Sequence, residues 1–192
     1  MILTYSSVGI ALFVGWMLLG RLAGMSFSKE GKSYWVLKSA PLRASDLLTA
    51  KFLVAYVPTL TMGWFFVIVI SLVQKISAAG FLYSLLAVAL SLAGMNGIMI
   101  AFGAAGANFN WDDPRRMNAG SLGCLGQIVT MLVLPIVFGV FVAPIWLAAA
   151  AQLPLGYAYL FGAILGTVVN LLCAYLPLKF VEARVQRLGE VE

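Results

Sequence analysis

The sequence contains no histidine and two cysteines, and only 10% of its 192 residues are charged. Each shortage removes a class of function. Without histidine, a nucleophile–base pair or clustered carboxylates, no reaction centre can be assembled. Cys124 and Cys173 lie far apart, each inside an apolar run, so neither a metal-ligand spacing nor a disulfide framework is present. Both read as small hydrophobes. Soluble domains carry about 25% charged residues, so the low charge, with 62% hydrophobic residues and a mean hydropathy of +1.01, argues against a soluble enzyme. It also excludes disorder, which needs high charge and little apolar surface. Residues 1–7 lack the basic start of a secretory signal peptide.

What is abundant is long apolar runs. A helix crosses the hydrocarbon layer with about 20 such residues. The runs predict five spans, over residues 2–20 (extending past Arg21 to 25 at its longest), 52–73, 81–107, 122–151 and 155–178. The fourth is expected to be broken at Pro135 and Pro144. The runs are continuous and rich in Leu, Ala, Met and Gly, so they read as helices; barrel strands would be shorter, with alternating polarity. The predicted fold is therefore all-α, a polytopic transmembrane helix bundle forming one domain over 1–192.

The net charge is +5, and its placement carries the information. Eleven of the twelve basic residues fall in the loop between the first two spans, the loop between the third and fourth, and the tail beyond 178. Five spans put all three regions on one side, leaving Lys75 on the other. By the positive-inside rule that side is cytoplasmic, with the C-terminus inside and Met1 outside, in a multi-pass protein of the plasma membrane. This is a membrane signature, and no nucleic-acid partner is expected. An external start with no charged segment before it favours a C-terminal portion of a longer membrane protein over a genuine five-span protein.

Residues 26–51 are too polar to span and too apolar for a solvated loop. Tyr34 and Trp35 are interfacial side chains, and the lysines can snorkel to headgroups. Phe27, Gly31, Tyr34 and Trp35 share one helical face. Pro41 should end this helix at or before Ala40, and a second short helix is expected to start at Ser45 as N-cap. The picture is a broken helix along the membrane surface, either an anchor or a dock for a soluble partner.

The residues Glu30, Gly31, Leu37, Pro41, Leu42, Leu47, Leu48 and Lys51 resemble the element before the second span of ATP-binding cassette (ABC) type-2 exporter permeases. The match covers about 25 residues. Where the ordinary pattern has Thr-Leu-Glu, this chain has Lys32-Ser33-Tyr34-Trp35, an aromatic version similar to a divergent branch of large exporter permeases. The resemblance implies that 26–51, with Trp35, is a coupling helix that docks on a separate ATPase subunit. The second loop, 108–121, is similar to the same branch. Its implied role is a further contact with that subunit through Trp111, Asp112, Asp113, Pro114, Arg115 and Arg116. Read from the residues alone, the same loop is a locally neutralised, solvated turn. Asp112 and Asp113 lack the further oxygen ligands that Mg²⁺ requires, so no metal site is expected.

Inside the spans, Gly162-x-x-x-Gly166 and the Gly120, Gly123 and Gly126 repeat permit close helix approach. Asn96, Gln127 and Asn170 are candidates either for packing between helices or for a substrate path. No span has an Asp or Glu at its centre, which argues against an ion-coupled secondary carrier. The chain lacks a Gly-x-x-x-x-Gly-Lys-Ser/Thr P-loop. It is thus expected to be no enzyme and to hold no cofactor, with ATP and Mg on a partner P-loop ATPase dimer. The resemblance further implies a second permease copy or a missing N-terminal half as partner, and the export of an unidentified substrate. The alternative is a non-transporting anchor or assembly subunit whose basic loops serve anionic lipid headgroups.

Overall fold

The computed structural model describes residues 2–39, 43–109 and 121–187. Among these there is no strand. Six α-helices follow one another: α1 (Ile2–Leu22), α2 (Tyr34–Ser39), α3 (Ala44–Gln74), α4 (Ala78–Ala105), α5 (Ser121–Ala150) and α6 (Leu155–Arg187), with a 3₁₀ segment, Ser28–Ser33, before α2. α3, α4, α5 and α6 are long and apolar enough to cross a membrane, so the chain is a membrane-embedded helical bundle. The expected first span is also helical, although its apolar part with described side chains, Val8–Leu22, is shorter than the other four.

α4 is the hub, packing against α1, α3, α5 and α6. Its sequence explains why. Ser84, Ala87, Ser91, Gly94 and Gly97 are small and all buried, so neighbouring backbones come close, the commonest route to helix association where lipid supplies no hydrophobic drive. Gly97 is the tightest point: a Cβ there would collide with the backbone of Ala174. Tyr83 meets Tyr159, Gly94 meets Asn170 and Gly97 meets Ala174; the partners advance together along both helices, so α4 and α6 are parallel. Large side chains cover the outside instead. Leu72, Val73, Leu132, Leu147 and Phe180 are all exposed, as expected of surface that meets acyl chains.

Polar side chains stitch the seams. Tyr83 Oη donates to the Phe141 carbonyl at 2.8 Å, joining α4 to α5. Tyr56 Oη donates to the Ala89 carbonyl at 3.1 Å, joining α3 to α4. Trp16 Nε1 donates to Thr130 Oγ1 at 3.0 Å, joining α1 to α5. The two glycines of the Gly162/Gly166 motif are filled from within the chain, by Tyr83 and by the Phe141 ring.

Four details differ from the sequence expectation. α5 runs unbroken through Pro135 and Pro144, and α3 through Pro58; membrane helices tolerate proline more readily than soluble ones, because local backbone adjustment can re-satisfy the freed carbonyls. α3 starts at Ala44, so the short helix expected from Ser45 is simply its first turn. Arg43 occupies the N-cap position with extended backbone and no side-chain cap, while Asp46 complements the positive end of the helix. The segment expected as a tail beyond 178 continues α6 to Arg187. Finally, Phe27, Gly31, Tyr34 and Trp35 do not share one helix, because Gly31 at φ 50°, ψ −137° breaks it. α2 is described over Tyr34–Ser39, and the limit expected at Ala40 and Pro41 lies outside the described residues.

Candidate functional site

Residues 23–39 fold against the bundle end where α1 and α4 finish. Gly31 sets the geometry. Its φ is one that side-chain-bearing residues rarely adopt, and the residue is buried, so the chain can turn sharply there and leave Glu30 and Tyr34 both facing the bundle. Phe27 is fully buried and Tyr34 nearly so. The Tyr34 ring stacks on Phe109, just past α4, with centroids 4.5 Å apart. Beside it the Asn108 backbone N–H donates to Ser28 Oγ at 3.2 Å. Burial, and secondarily the negative Glu30 nearby, push the Tyr34 phenol above its ordinary value.

The centre of the site is Lys51, in the second turn of α3. Its Nζ donates to Glu30 Oε1 and to the Ser26 carbonyl at 2.8 Å. It also lies 5.8 Å from the centroid of the Phe27 ring, within cation–π range. The Lys51 side chain is 15% exposed and that of Glu30 33%. The pair is therefore partly withdrawn from water, and a charge-assisted bond there is stronger than at an open surface. One lysine thus ties the surface segment to α3 by its charge, its donors and its stem.

The sequence-predicted residues divide clearly. Glu30, Gly31 and Lys51 come together in this clamp. Leu48 is buried, and Leu37 and Leu47 pack against the core. These motif residues are turned inward and build the element. The described surface that the element offers outward includes Lys29, Lys32, Val36, Arg43 and Asp46, with Ser33, Ser39 and Ser45 between them, all exposed. Pro41, Leu42, Trp111, Asp112, Asp113, Pro114, Arg115 and Arg116 lie outside the described residues, as does the Trp35 side chain. Sequence reasoning missed Ser26 and Phe109 as parts of the site. Phe109 carried one signal, an aromatic residue just past the apolar run of α4.

Asn96, Gln127 and Asn170 sit at three different seams. Asn96 Nδ2 donates to the Phe52 carbonyl at 2.9 Å, joining α4 to α3 one residue beyond Lys51. Gln127 lies against Gly20 of α1. Asn170 Nδ2 donates to the Gly166 carbonyl of its own helix at 2.9 Å, with Oδ1 facing Gly94. The structure does not bring the three to a common surface. Among the described residues no cluster of acidic or thiol ligands can hold a metal.

The arrangement is thus a surface segment with an outward face of net positive charge, clamped by Glu30–Lys51 to α3 and stacked through Tyr34 on the end of α4. No curated protein and no solved structure matches the chain. A family model described as "Putative ATP-binding cassette" matches residues 1–189. With nearly the whole chain matched, from α1 through the surface segment to the end of α6, the protein belongs to that ATP-binding cassette family.

Proposed function

We propose that the chain is transmembrane permease of an ATP-driven exporter, with 26–51 as the coupling element and ATP hydrolysed by a separate subunit. The observation that carries this reading is the double attachment of the surface segment. A push on its outward face reaches α3 through Glu30–Lys51 and α4 through Tyr34–Phe109. α4 touches every other long helix of the bundle, so a displacement there moves the bundle as packed bodies. A mere surface anchor needs no such linkage. The basic end is then the cytoplasmic one, in the plasma membrane, with the C-terminus inside.

ATP and Mg belong on the partner in this reading, and the chain itself is no enzyme. Gly31-Lys32-Ser33 matches the last part of a P-loop, but Ser26 stands in place of its first glycine. The segment is a 3₁₀ turn joining helices, whereas a P-loop cradles phosphate between a strand and a helix. The partners proposed are a P-loop ATPase dimer, docked on Lys29, Lys32, Val36 and Arg43, and a second permease unit.

The test is reconstitution of the full complex from native membranes. A P-loop ATPase should co-purify with this chain. Arg43→Glu together with Lys29→Glu should abolish that co-purification. Glu30→Gln should keep insertion and docking while lowering the chain's stimulation of ATP hydrolysis. Absence of an ATPase from the complex, with normal insertion, would establish the anchor reading instead.

A further inference from the structure

At the basic end, α4 and α6 enclose an outward-facing hollow of about 300 Å³. Ala101, Phe102 and Ala105 of α4 form one wall, and Pro177 and Phe180 of α6 the other. The two alanines leave its width. Pro177, Phe180 and Arg184 follow one another at i, i+3 and i+7, so they share a helix face. Phe180 is 83% exposed, which in a bilayer means it faces acyl chains. The one charged residue of the lining is Arg184.

Depth fits this composition. From Leu155, beside the turn at the opposite surface, α6 rises about 33 Å to Pro177 and about 44 Å to Arg184. The hydrocarbon layer is about 30 Å thick, and about 40–45 Å with headgroups. The apolar walls therefore reach the hydrocarbon edge, and Arg184 stands among headgroups. Arg184 makes no ion pair with a described residue, since Lys179 and Glu182 pair with each other at 2.9 Å.

We infer that this hollow binds one anionic glycerophospholipid, an acyl chain lying between Phe102 and Phe180 and the phosphate resting on the Arg184 guanidinium. Guanidinium matches phosphate oxygens in a fork geometry. A zwitterionic lipid would bring its own cation to an end that already gathers the chain's basic residues, so net negative charge decides the choice. The site rests on the membrane embedding of α4 and α6 and is independent of the coupling reading.

The full chain, purified in a mild detergent, is offered phosphatidylglycerol or phosphatidylcholine, and bound lipid is counted by native mass spectrometry. Wild type should retain phosphatidylglycerol about fivefold more than phosphatidylcholine, the effect of one basic residue at an anionic surface. Arg184→Ala should erase the preference with an unchanged melting temperature in lipid-free detergent. Arg184→Gln gives the same reading should alanine fail to fold. Lys179→Ala, the same charge change on the same helix, should keep the preference. Ala105→Trp, which fills the hollow, should lower retention of both lipids. Equal retention by wild type, a preference that survives loss of Arg184, or an equal loss in Lys179→Ala would overturn the site, as would a second copy of the chain found seated there.

Discussion

At one end of the bundle, residues 23–39 are held by contacts distant in sequence; at the other, α3 turns into α4 through Lys75, Ile76 and Ser77 alone. The first end spends buried aromatics, a glycine with positive φ and a two-pronged lysine on its connection. The second closes locally. Lys75 takes the left-handed conformation at the C-cap of α3, Ser77 Oγ caps α4 by accepting from the Gly80 N–H at 3.3 Å, and Gln152 repeats the left-handed turn before α6. A local turn joins two helices and conveys nothing further. A connection held by tertiary contacts conveys displacement between the elements it touches. The contrast explains why the functional reading sits at the basic end.

That contrast can be broken by substitution. Gly31→Ala should have the largest effect, destabilising by about 2–3 kcal/mol because its backbone region is nearly glycine-only; thermal unfolding in detergent reads it. A double-mutant cycle of Glu30→Gln and Lys51→Met should give a coupling of about 1–2 kcal/mol, and additive losses would mean the clamp is not a unit. Tyr34→Leu should cost about 1 kcal/mol by loss of stacking, and the loss should shrink in a Phe109→Leu background. At the opposite end effects should be smaller. Ser77→Ala should cost about 0.5 kcal/mol, the low end for a cap whose bond is long. Lys75→Gly should fall between neutral and a gain of about 0.5 kcal/mol, since relief of the left-handed backbone is offset by glycine's entropy. Large losses at Ser77 or Lys75 would erase the difference between the ends.

The legibility of the protein followed the same division. Helical spans, their rough limits and the gathering of positive charge were readable, because each depends on runs of neighbouring residues. The continuity of α5 was not, since a proline inside a long apolar run is compatible with either a break or a continuous membrane helix. Within the site, Glu30 and Lys51 were visible as motif residues, but their mutual pairing was not. The residues between them give no sign that the chain doubles back at Gly31. Likewise Asn96, Gln127 and Asn170 looked alike in sequence and were separated only by helix rotation.

The sequence alone determined that this chain is a helical membrane bundle with its positive charge at one end, because hydropathy and charge act over contiguous segments and tolerate any packing that hides the backbone. Only the tertiary structure decided that α4 is the hub, that Glu30, Leu37, Leu47, Leu48 and Lys51 turn inward while Lys29, Lys32, Val36 and Arg43 face outward, and that the surface segment is fastened to both α3 and α4. Those outcomes hang on single close approaches, such as Gly97 against Ala174 and Lys51 against Ser26, between residues that the order of the chain keeps far apart.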